Sequence, residues 1–139
     1  MSEQLASVRL RSSLHGKLRL LAAGLSKKRE VRITMRSMLE EGVRELFTVP
    51  LPAWMQWASQ SAANFDALAE NDPLESESFR IDANLVRELG ILAAQISMSS
   101  KVPITKVHLL EEAGQRIIAQ IEAEQREMDE IEQSMELRQ

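Results

Sequence analysis

A mainly α fold with one short antiparallel two-stranded ribbon is predicted by three features of the chain. A stretch that alternates apolar and polar residues, "SVRLRS" at 7–12, precedes long helix-forming segments. Residues 8–47 can be laid over residues 79–118 without a gap, and 13 of the 40 positions are then identical. The matches include Arg9/Arg80, Leu14/Leu85, Leu18/Leu89, "LAA" at 21–23 and 92–94, and "LEE" at 39–41 and 110–112. Many of the other pairs exchange one apolar residue for another, so the chain holds an internal duplication offset by 71 residues.

Each unit opens on a strand, at about 7–12 and 78–83. Val8 and Leu10, and Phe79 and Ile81, occupy the inward positions; Ser7, Arg9 and Arg11, and Ser78, Arg80 and Asp82, occupy the outward ones. Ser13 and Asn84 stand where a side-chain oxygen can cap the helix that follows. That helix carries Leu14, Leu18, Leu21 and Leu25 in the first copy and Leu85, Leu89, Leu92 and Ile96 in the second, an apolar stripe at helical spacing. The polar stretches "SKKRE" and "SMSSK" read as turns, and a second helix is expected from near Val31 and Val102, with Pro103 in its first turn. Its apolar face holds Leu39, Leu46 and Phe47, or Leu110, Ile117 and Ile118, while the glutamates of "LEE" read as exposed helix positions. A lone short strand leaves its backbone groups unpaired, so each unit's strand needs the other's, and the ribbon would lie over four helices.

Four segments follow: repeat 1 at 7–47, a linker at 48–77, repeat 2 at 78–118 and an extension at 119–139. In the linker, Pro52 is positioned to open a helix containing Trp54, Trp57 and Phe65 that either packs on the domain, the favoured reading, or offers the Trp pair as a partner-binding patch, and the acidic "AENDPLESES" reads as exposed. The extension has no Gly or Pro, and Ile117, Ile121, Met128, Ile131 and Met135 follow a spacing near seven residues that Glu124 interrupts. Self-association, docking of another protein and a frayed acidic tail all remain open for it.

Charge is distributed unevenly along the chain. The total of −4 hides ten Lys/Arg against five Asp/Glu in residues 1–48, and five acids with no base in 49–78. Residues 79–118 come to +1 and 119–139 to −5, so an electropositive surface is expected around the first repeat. The chain has no cysteine, and His15 and His108 lie far apart without ligand spacing, so no metal or cofactor is expected. "MSEQLASVRL" lacks the pattern of a signal peptide and no apolar run is long enough to span a membrane, which makes a cytoplasmic location the default expectation. There is no Gly-rich phosphate loop and no nucleophile paired with a base, and an enzyme is not expected.

The two units resemble the ribbon-helix-helix (MetJ/Arc-type) family of DNA-binding proteins, over residues 7–47 and 78–118. The resemblance rests on the strand, helix, helix succession and on "KVPIT" at the entry to the second helix. Both copies lie in one polypeptide, a tandem pseudodimer similar to that of TraY-type relaxosome proteins, and the turn between the helices is a few residues longer than the family's short form. The resemblance implies that the ribbon enters the major groove of double-stranded DNA. Arg9, Arg11 and Arg80 become candidates for reading guanine, Ser7 and Ser78 weaker readers, and Asp82 a candidate for cytosine. Amides at Arg32, Ile33 and Ile104, with Thr34, Thr105, Lys27, Lys28, Arg29 and Lys101, become candidate phosphate contacts. Because Arg11 in one strand is matched by Asp82 in the other, an asymmetric DNA site is expected. The implied role is that of a conjugative-transfer accessory protein or transcriptional repressor, with transfer or regulatory proteins as further candidate partners. The competing class is a helical interaction module without specific DNA binding.

Overall fold

The computed structural model describes residues 4–29, 33–71 and 79–137, the side chains of 29 and 62–71 excepted. The element order is β1 (Leu5–Val8), α1 (Ser12–Arg29), α2 (Met35–Leu46), α3 (Leu51–Asn71), β2 (Phe79–Asp82), α4 (Ala83–Ser100) and α5 (Lys106–Leu137). The molecule is mainly helical, with one two-stranded antiparallel ribbon formed by β1 and β2. No helix among the described residues is long and apolar enough to cross a membrane.

The ribbon pairs Leu5 with Asp82, Ala6 with Ile81, Ser7 with Arg80 and Val8 with Phe79. Val8 and Phe79 also occupy the same position in the two repeats, so the last pair joins equivalent residues. β1 starts two residues earlier than expected, at Leu5, and the chain turns into α1 at Ser12. Ser78 and the linker residues 72–77 lie outside the described residues.

Beneath the ribbon, Val8, Leu10 and Ile81 are buried and Phe79 is half-buried, as their alternation predicts. The first-helix stripes are also buried in parallel: Leu14, Leu18 and Leu25 match Leu85, Leu89 and Ile96, with Leu21 and Leu92 half-buried. Leu39, Leu46, Leu110, Ile117 and Ile118 complete the core from α2 and α5. These two second helices cross more intimately than any other pair. Gly42 makes the crossing possible, since a Cβ there would stand 2.7 Å from the carbonyl oxygen of Ala113.

The turns fall later than the polar stretches suggested. "SKKR" and "SMSS" continue α1 and α4 for their last turns, and α2 and α5 start at Met35 and Lys106 rather than near Val31 and Val102. Pro103 therefore precedes its helix instead of lying in the first turn. One side chain in each copy organises the entry to the second helix. Ser26 Oγ accepts from Ile33 N (2.8 Å) and donates to Ile33 O (3.0 Å); Ser97 Oγ does the same with Ile104 N (2.9 Å) and Ile104 O (3.1 Å).

α3 lies against α4, and Trp54 is completely buried while Trp57 is half-buried. Their rings meet edge to face at 5.0 Å, and the Arg116 guanidinium sits 5.1 Å from the centre of the Trp54 ring. The linker helix thus packs on the domain through its tryptophans. Beyond Ile121, α5 carries on without a break to Leu137, with Met128, Ile131, Met135 and Leu137 exposed.

Candidate nucleic-acid interface

Ser7 and Arg80 face each other across the ribbon and both are exposed, as is Arg9 immediately beyond β1. Side chains at directly opposed positions project from the same face of a sheet, here the face away from Val8 and Ile81. Leu5, opposite Asp82, adds an apolar side chain 40% exposed, close to the serine and the arginine. The sequence does not single out Leu5, because a leucine in a mainly helical chain carries no mark of a surface role.

Arg11 and Asp82, equivalent in the two repeats, are placed differently: Asp82 ends β2 opposite Leu5 and keeps its outward position, half-buried, whereas Arg11 departs from it. Arg11 is buried: its N–H donates to Glu111 Oε1 (3.0 Å) and its Nε lies 3.7 Å from the same oxygen. The strand alternation stops where α1 begins, so residue 11 belongs to the helix entry and not to the outer face. Asp82 is the N-cap of α4, its carboxylate accepting from Asn84 N at 2.9 Å, and its own N–H donates to Glu40 Oε2 at 2.7 Å. The cap therefore sits at Asp82 and not at Asn84, and α1 starts at Ser12 ahead of the expected cap Ser13.

Glu40 and Glu111 are not exposed helix positions either. Both are buried, and each receives the backbone N–H at the strand-to-helix junction of the other repeat. A buried carboxylate needs a compensating charge. Glu111 has Arg11 beside it, whereas Glu40 has Arg36 on its own helix at 3.1 Å. The compensating arginine has changed place between copies: position 11 is Arg where 82 is Asp, and position 36 is Arg where 107 is Val. Identical "LEE" segments at matching positions were the signal that these acids do the same work.

The amides of Ile33 and Ile104 are not free for phosphate, because Ser26 and Ser97 hold them. Thr34 and Thr105 cap the second helices. Thr34 Oγ1 accepts from Ser37 N (3.0 Å) and Ser37 Oγ accepts from Thr34 N (3.3 Å), while Thr105 Oγ1 and His108 Nδ1 form the matching reciprocal pair at 3.4 and 3.1 Å. Lys27 and Lys28 are exposed near the end of α1, and Lys28 stands 3.9 Å from Asp129 of the acidic extension. Lys101 is exposed at the C-cap of α4 with φ 61°, a left-handed conformation that disfavours side chains other than glycine. Arg32 and the side chain of Arg29 lie outside the described residues.

The described part of the ribbon thus presents Leu5, Ser7, Arg9 and Arg80, with Asp82 half-buried opposite Leu5. Compared with protein-family models, with curated proteins and with solved structures, the chain matches none.

Proposed function

We propose that the chain is a tandem ribbon-helix-helix pseudodimer that binds double-stranded DNA sequence-specifically, its ribbon in the major groove, as a conjugative-transfer accessory protein or a transcriptional repressor. The observation that carries this is the ribbon register. Val8 pairs with its own counterpart Phe79, which is what an internal two-fold axis through the ribbon requires, and Ser7 and Arg80 then stand together on the outer face. The reciprocal clamps of Glu40 and Glu111, and of Ser26 and Ser97, support the same two-fold relation.

A two-stranded ribbon fits the major groove, where an arginine fork donates to guanine O6 and N7. Arg9 and Arg80 are the guanine readers, Ser7 an adaptable contact, and Leu5 a surface for a thymine methyl group. Arg11 positions the ribbon from behind, while Asp82, on the outer face and capping α4, stays a candidate for cytosine. Phosphate contacts come from Lys101 and from the first turns of α2 and α5, rather than from Ile33 and Ile104. With Arg11 withdrawn and Asp82 kept on the outer face, the two copies offer different side chains there. Arg9 and Arg80 are equivalent, so each half of the site offers a guanine within a site that is otherwise asymmetric. Asymmetry also enters through the phosphate grip, since "SKKRE" is strongly basic and its counterpart "SMSSK" holds a single lysine.

A gel shift with heparin competitor on DNA flanking the chain's own gene is the test. A discrete heparin-resistant complex is expected from the wild-type chain, weakened by about 1–3 kcal/mol in Arg9→Ala or Arg80→Ala on the specific site and less on random DNA. A helical interaction module with an incidental basic face would form no such complex.

A further inference from the structure

The exposed stripe on the α5 extension and the groove beside α1 are complementary in charge and in spacing. Beyond Ile121, Met128, Ile131 and Met135 are 48%, 59% and 63% exposed, and they continue the helix face that buries Ile117 within the bundle. Between the extension and α1 lies a groove of about 500 Å³ lined by Leu20, Leu21, Gly24, Leu25 and Ile121, with Lys28 among its polar residues. α1 contains no acidic residue and exposes Lys17, Arg19, Lys27 and Lys28, whereas residues 127–137 contain five acids and no base.

We propose that two copies of the chain associate through their α5 extensions in antiparallel register about Met128, the end of each extension entering the other copy's groove. Ile121, Met128 and Met135 are spaced by seven residues, so a pair centred on Met128 sets Met135 opposite Ile121 of the second copy, beside its Leu21 and Leu25. The acidic end then meets the basic face of α1. A parallel pair would bring the two acidic ends side by side and leave both grooves empty. The association stands apart from the DNA proposal and is tested without DNA.

Introduced thiols report the register, because the chain has no cysteine of its own. On oxidation, Met128→Cys should give a disulfide-linked pair, Met135→Cys alone should not, and a mixture of Gln125→Cys with Ile131→Cys chains should give the mixed disulfide. In sedimentation equilibrium the wild-type chain should form a two-chain species that Met135→Asp weakens by roughly tenfold or more, with its helical circular dichroism unchanged. A one-chain wild-type species overturns the proposal, and so does Met135→Cys linking to itself as readily as Met128→Cys.

Discussion

Arg11 and Asp82 are charged side chains at one and the same position of the duplicated unit, yet only Asp82 keeps its place on the outer face. Alternation predicted Arg11 as outward because the sequence does not mark the residue at which a strand gives way to a helix, and an arginine reads alike in a groove or over a buried glutamate. The inward set, Val8, Leu10 and Ile81, was legible because an apolar side chain has one favourable destination. The two clamps should differ in strength. Removing Glu111 takes a carboxylate from beside the buried guanidinium of Arg11 and from the Arg11 N–H, so Glu111→Ala is expected to cost about 3–5 kcal/mol in urea unfolding. Glu40→Ala leaves Arg36, whose side chain is 31% exposed, in contact with water, and is expected to cost about 1–3 kcal/mol. Equal losses would mean that Arg11 finds another partner once Glu111 is gone.

At the scale of elements, the apolar stripes of α1 and α4 and the unbroken α5 were legible from spacing and from the lack of helix breakers. The turns were not. "SKKR" and "SMSS" look like loops by polarity, yet nothing in them breaks a helix, and Ser26 and Ser97 use that last turn to hold Ile33 and Ile104. Glycines separate two physical situations. At Gly16 an added Cβ meets nothing within 4 Å, so Gly16→Ala is expected to raise stability by about 0.5–1 kcal/mol in α1. Gly42→Ala would push a methyl group onto backbone at the α2–α5 crossing and is expected to lower stability by about 1–3 kcal/mol. Thermal unfolding of both variants checks the contrast. Lys101 links stability to the proposed phosphate contact: Lys101→Gly relieves the left-handed φ and should stabilise the fold by up to about 1 kcal/mol while weakening binding to all DNA sequences alike. Unchanged DNA affinity in that variant would remove Lys101 from the phosphate contacts.

On the scale of the whole molecule, the duplication was legible because the two copies kept their apolar positions in step over 40 residues. How they meet was not, since the contacts that join them cross between repeats at residues whose types had no decisive pattern. Both ribbon strands belong to one chain, so the fold itself does not depend on a second copy. In Met135→Asp, with the association of extensions removed, the unfolding midpoint should not move with protein concentration. The central claim is that equivalent arginines of two units in one chain read the two halves of a DNA site. Selection of binding sites from random double-stranded DNA by wild-type, Arg9→Ala and Arg80→Ala chains tests it most directly. A guanine in each half of an otherwise asymmetric site is expected from the wild type, and each variant should lose selectivity in one half only. Recovery of no enriched sequence, or loss of selectivity in both halves from either variant, would contradict it.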